Sequence, residues 1–214
     1  MIIKCINNSR NRDISIDKLY PVFSGEYIVV NNNKNFKSFR IIDDFGGVSI
    51  YEESDFEITC SNLQNYNCEK VDSIVGFTHE NIDYRSFLEN YYNDDDIALK
   101  KLKEALVIIY SADCSNKELV SYIVSNPLPI DDQLIILQAI SSKMNESTAS
   151  ELVNHYSPFL LEADNELVEM LFRLLSNCKS DEVYDLFLKY YSITVGNNQD
   201  IDDIVIRYMD AYYQ

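Results

Sequence analysis

The chain is expected to fold as an α+β protein. A small antiparallel β barrel or sheet should occupy residues 1–62, a connector 63–80, and an all-α domain of stacked antiparallel helices 81–214. Two observations predict this. The apolar period changes from about two to about 3.6 residues near position 80. Four of the five glycines (Gly25, Gly46, Gly47 and Gly76) lie before the change, where tight turns are needed.

Met1–Ile6 reads as a first strand and Lys18–Phe23 as a second, with Ser24-Gly25 as a turn before Glu26–Asn31. The polar run Asn31–Lys34 should form a loop tip. Phe36–Ile42 follows, with Phe39 and Ile41 on one face. Asp43-Asp44-Phe45-Gly46-Gly47 holds residues that tolerate positive φ and should reverse the chain. Val48–Tyr51 and Phe56–Cys60 complete the set. Short strands spaced so closely, with no helices between them, suggest a small curled sheet or barrel.

The segments IDKLYPVFSGEYIVV and FRIIDDFGGVSIYEESDFEI place a Tyr ahead of a strand, then an acidic Gly turn, then an aromatic strand ending in Phe. In this the first quarter of the chain resembles an SH3-like β module of bacterial and phage proteins. Such a module by itself implies no activity.

From Asn81 the helical period takes over. Ile82, Phe87, Leu88 and Tyr91 could line one helix. Ile97, Leu99, Leu102, Leu106 and Ile109 could line the next, which would begin at Asp94-Asp95-Asp96. Ser115–Glu118 has capping-box spacing, and Asn126-Pro127-Leu128-Pro129 ends the helix it opens. Asp131 or Asp132 starts another helix. Thr148–Glu151 is a second capping box, and Asp164–Ser176, Ser180–Tyr191 and Asp200–Tyr212 follow. Helix starts recur every ~15–20 residues, the spacing of stacked helical hairpins, although no signature of a named repeat family is present. Stacks of this kind expose extended surfaces suited to gripping another protein.

The formal net charge is −17, with −4 on residues 1–80 and −13 on residues 81–214. Such a chain repels phosphate backbones and anionic membranes, which argues against direct nucleic-acid or membrane binding and for a basic partner. No apolar run approaches the ~20 residues that a membrane span needs, and MIIKCINNSRNR is not a secretory leader, so a cytoplasmic location is expected. The five scattered cysteines include no C-x-x-C, there are only two histidines, and reduced packing thiols are expected rather than a metal site.

No P-loop, G-x-G-x-x-G, H-E-x-x-H, G-x-S-x-G or EF-hand pattern is present, so neither a cofactor nor a catalytic site is expected. His79-Glu80 is the best acid/base pair, but it falls in the connector, and His155 falls near a helix end. The acidic groups Asp94-Asp95-Asp96, Asp131-Asp132, Asp181-Glu182 and Asp202-Asp203 all fall at helix starts. There they either complement the helix dipole or gather charge along one rim for a partner. Tyr91-Tyr92, Tyr190-Tyr191 and Tyr212-Tyr213 stand in pairs at helix ends, where they either close the core or serve an interface. The expected partner-binding residues are Asp94, Asp95, Asp96, Asp131, Asp132, Asp202, Asp203, Tyr91 and Tyr92.

A small acidic protein without a catalytic signature resembles, in overall character, the immunity proteins of bacterial contact-dependent growth inhibition and polymorphic toxin systems. No motif carries this likeness. It implies a stoichiometric, non-enzymatic inhibitor of one cognate toxin domain, with a basic nuclease as the expected target. The alternative on the same charge argument is a phage or mobile-element DNA mimic that inhibits a host nucleic-acid enzyme. An enzyme with an unfamiliar site at His79 or His155, and a scaffold, remain as further classes. The oligomeric state is not legible.

Overall fold

A computed structural model describes residues 1–140 and 144–212. It has the expected α+β order, with antiparallel strands first and helices after them. Two compact units divide the chain, residues 1–113 and 114–214.

In the first unit, β1 (Ile2–Cys5), β2 (Leu19–Pro21), β3 (Ser24–Val30), β4 (Asn33–Ile42), β5 (Val48–Glu52), β6 (Phe56–Cys60), β7 (Tyr66–Val71) and β8 (Ile74–His79) form two sheets. Their orders are β2-β1-β6 and β5-β4-β3-β8-β7, and every pairing is antiparallel. Both sheets are open, and no closed barrel occurs among the described residues. The antiparallel β-rich start is as expected, built as two sheets sharing one core. Ile3, Tyr20, Phe39, Ile41, Phe56 and Phe77 are each no more than 4% exposed in that core. Its rings meet edge-on, with Phe39 and Phe56 at 6.1 Å and Phe36 and Phe77 at 5.8 Å, the geometry that ring quadrupoles favour.

Turn chemistry explains the hairpins. Asn31 and Asn32 both take positive φ (52° and 65°) between β3 and β4, as a two-residue turn of matching twist requires. At the reversal after β4 the Asp43 carboxylate accepts the N–H groups of Phe45 (2.9 Å) and Gly47 (2.8 Å), while Gly46 supplies φ +82°. Gly25 does not turn the chain. It lies inside β3, where a Cβ would meet the Ser38 carbonyl at 2.4 Å and the Phe77 ring at 2.7 Å.

The segment expected to be a connector, 63–80, is mostly the β7–β8 hairpin, so the β-rich region reaches His79 and not residue 62. The helices α1 (Phe87–Tyr92) and α2 (Asp96–Asp113), expected in the helical domain, belong to the first unit. The reasons are specific contacts. Tyr91 and Tyr92 bond to the β4–β5 turn, α2 packs on β1 and β2, and the Asp113 carboxylate pairs with the Met1 α-ammonium, both fully buried. The buried stripe of α2 runs through Ala98, Leu102, Ala105, Leu106, Ile109 and Tyr110, so the expected Leu102, Leu106 and Ile109 face inward, while Leu99 is half-buried and Ile97 is 66% exposed.

The second unit contains α3 (Asn116–Ser125), α4 (Ile130–Ala139), α5 (Glu146–Tyr156), α6 (Asn165–Leu175), α7 (Asp181–Thr194) and α8 (Gln199–Tyr212). Alternate helices pack together. One row runs α3, α5, α7 and the other α4, α6, α8, joined where α3 meets α4 and α7 meets α8. Two such rows are the pattern of a stacked helical array. Ser115 and Glu118 form the expected capping box, with the Ser115 hydroxyl accepting the Glu118 N–H (3.3 Å) and the Glu118 carboxylate accepting the Ser115 N–H (2.7 Å). The second expected box does not form. Asn145 caps α5 by accepting the Thr148 N–H at 2.9 Å, and Thr148 is buried inside the first turn.

Candidate interaction surface

Drawn at the observed boundary, the formal charge is −7 on residues 1–113 and −10 on residues 114–214. The second stretch has 16 carboxylates and six Lys or Arg, so one-to-one pairing within it leaves at least ten carboxylates without a cationic side chain. Eleven of the sixteen are exposed and Asp202 alone is buried. All six helices of this unit carry an acidic residue in the first turn, where the unpaired N–H groups of the helix start favour negative charge.

The expected partner-binding residues divide by what already holds them. Asp94 is exposed with φ +54°, and Asp96 is exposed as the first residue of α2. Asp95 accepts the Ala98 N–H at 2.9 Å and caps α2. At the start of α4, Asp131 is exposed and Asp132 half-buried. Asp203 accepts from the Gln199 amide at 2.7 Å. Asp202 is buried and accepts the Gly196 N–H at 2.7 Å, fastening the turn before α8, where Gly196 takes φ +86°. A partner cannot reach that carboxylate, so the surface expectation for Asp202 is corrected. Asp94–Asp96 lie in the first unit and the other two groups in the second, so the structure does not bring all three together within one unit.

The tyrosines are likewise engaged. The Tyr91 hydroxyl donates to the Gly46 carbonyl at 2.7 Å, and the Tyr92 hydroxyl meets the Val48 N–H at 3.0 Å and the Val48 carbonyl at 3.2 Å. Tyr92 is nevertheless 59% exposed, so its ring still offers area to a partner. Tyr190 is buried beside a half-buried Tyr191, the in-and-out arrangement expected of a closing pair. In the third pair Tyr212 donates to Asp181, while Tyr213 lies outside the described residues.

His79 is fully buried at the end of β8, beside an exposed Glu80, so the two do not form a solvent-facing acid/base pair. Its Nδ1 accepts the Asn81 N–H at 3.4 Å, and its Nε2 has no partner. Burial, reinforced by the nearby Met1 ammonium, pushes its pKa down to about 4, so the ring is neutral at physiological pH. His155 is half-buried with rings of Tyr156 and Phe159 edge-on to it at 4.8 and 5.5 Å, and burial lowers its pKa too. Among the described residues no group of three His, Cys, Asp or Glu could hold a metal, and no helix is long and apolar enough to cross a membrane. None of the five cysteines is joined in a disulfide.

No family model matches this chain, and no curated protein or solved structure matches it significantly.

Proposed function

We propose that this protein is a non-enzymatic immunity protein that binds a cognate bacterial toxin domain, a basic nuclease by charge complementarity, and neutralises it stoichiometrically. The observation that carries this reading is the carboxylate surplus of residues 114–214, sixteen against six cations, most of it exposed on a stack of short capped helices. A rigid anionic body raises the encounter rate of a cationic partner and disfavours acidic competitors. Binding then blocks the toxin by covering its substrate groove or by locking it in an inactive state. The exposed Asp131 and the helix-start acids Glu182 and Asp200 steer the approach, and the β-rich unit, which resembles an SH3-like module in its sequence, adds a secondary surface through Asp94, Asp96 and Tyr92.

Co-expression tests this reading. If the gene immediately upstream encodes a large secreted protein, its variable C-terminal domain, expressed alone, should arrest growth, and this chain should restore growth at equal abundance. Arrest that persists despite abundant, folded protein would contradict the proposal. Inhibition of many unrelated nucleases, in place of one cognate domain, would move the assignment to a DNA mimic.

A further inference from the structure

One groove of the second unit runs against its overall charge. It lies between the end of α6, the following linker and the last two turns of α8, encloses about 390 Å³, and is lined by Arg173, Lys179 and Arg207 together with Ser176, Asn177 and Tyr208. Half of the six Lys and Arg residues of this unit line it, and among the described residues its lining contains no carboxylate.

The fixed bonds leave donors available. Arg173 uses Nε and Nη2 on the Glu169 carboxylate (2.9 and 2.6 Å), so one of the three positive charges is already matched. Arg207 donates Nε to the Asp203 backbone carbonyl at 2.9 Å, a bond that orients the guanidinium but leaves its charge and both Nη groups unengaged. Lys179 spends one N–H on the Ala211 carbonyl at 2.6 Å, which holds its ammonium over the end of α8 without neutralising it. The Asp203 carboxylate is turned to Gln199. Two of the three cations, Lys179 and Arg207, therefore have no carboxylate in an ion pair with them among the described residues.

We propose that this groove is a binding site for a phosphate monoester. Such a group carries about −1.5 to −2 charges at pH 7, a match for the two cations outside ion pairs, and its oxygens suit the planar forks of two guanidinium groups. The volume exceeds that of phosphate alone and falls at the low end of the ~300–1,000 Å³ typical of small-molecule sites. The organic part of the ester lies against Ile204 and the edge of Tyr208. The more distant acidic residues of this unit act only weakly there, because charges beyond about 8 Å are largely screened at physiological salt. The site is independent of whatever the acidic surface meets.

Titration of the full chain at constant ionic strength, followed by amide shifts and calorimetry, tests the assignment with phenyl phosphate, inorganic phosphate, a phosphoserine heptapeptide and benzoate. Phenyl phosphate should saturate, with shifts centred on residues 173–179 and 204–211, and should bind at least about fivefold more tightly than benzoate. Tighter binding of the heptapeptide would identify the source as a modified protein, and tighter binding of phenyl phosphate a free small ligand; both retain the site. Loss of one cation at contact distance weakens binding about fivefold, so Arg207→Gln and Lys179→Gln should each show that loss, and Arg207→Lys an intermediate one. Lys179→Gln also removes the Ala211 bond, so Arg207→Gln decides the matter if the lysine variant unfolds. Non-saturating shifts, equal binding of all anions, or unchanged affinity in Arg207→Gln would overturn the proposal.

Discussion

The Tyr91 hydroxyl donates to the Gly46 carbonyl at 2.7 Å, tying α1 to the β4–β5 turn across 45 residues of sequence. Gly46 takes positive φ, and the carboxylate of Asp43 already occupies the turn's N–H groups. The tyrosine pair therefore completes a turn that Asp43 organises, and this fixes α1 to the β-rich unit.

Removing the hydroxyls should loosen that tie. Tyr91→Phe is expected to cost about 0.5–1.5 kcal/mol and Tyr92→Phe a similar amount, since each loses hydrogen bonding while keeping its ring. Urea unfolding of the two single variants and the double variant measures this. Losses below about 0.3 kcal/mol in the double variant would mean that the tie is incidental.

His79 makes stability depend on pH. Its folded pKa, about 4, lies below the ordinary value of 6.5, so the unfolded chain binds the extra proton between those values. The stabilisation from keeping the ring neutral is complete above pH 6.5 and is lost as pH falls toward 4. Between pH 7.5 and 5.5 this group should contribute a loss of about 1.4 kcal/mol. His155 shifts in the same direction and adds to the loss. Chemical unfolding at the two pH values should therefore show a steeper loss in the wild type than in His79→Gln, and the least in His79→Gln/His155→Gln. Equal slopes would show that His79 titrates alike in both states.

Asp202 and Asp203 stand side by side with opposite roles. Asp202→Ala leaves the Gly196 N–H without its acceptor in a buried turn and should cost about 1–3 kcal/mol. Asp203→Ala removes a half-buried carboxylate whose side chain, among the described residues, bonds only to Gln199, and should stay within about 0.5 kcal/mol. Thermal unfolding of both variants checks the contrast, and equal effects would contradict it.

Most helix starts were legible because capping leaves a local signature, as at Ser115–Glu118. Asn145 was missed because Thr148–Glu151 offered the same spacing three residues later, and only the burial of Thr148 selects between them. The β7–β8 hairpin was missed for a different reason. Strand β7 is an edge strand, half-buried at Tyr66 and exposed from Asn67 onward, so no alternation marks it. Its partner did carry a readable pattern, since Val75, Phe77 and His79 alternate inward at 7%, 1% and 0% exposure, and Asp72 with φ +54° supplies the turn. The unit boundary was illegible because α1 and α2 are held by long-range contacts such as Tyr91 to Gly46, which periodicity does not encode. Among the candidate site residues, the sequence could place Asp202 at a helix start but could not reveal its inward orientation. The groove at Arg207 was invisible for the same reason, as its three cations are spread over 35 residues.

The account rests on anionic charge steering a cationic partner, and association kinetics measure that most directly. Stopped-flow association with the toxin domain that this chain neutralises should slow by on the order of tenfold between 50 and 300 mM NaCl. Reversing Asp131, Glu182 and Asp200 to lysine should slow the low-salt rate several-fold and flatten its salt dependence, with dissociation little changed. A rate constant and salt slope identical to the wild type's in the reversed protein would contradict the account.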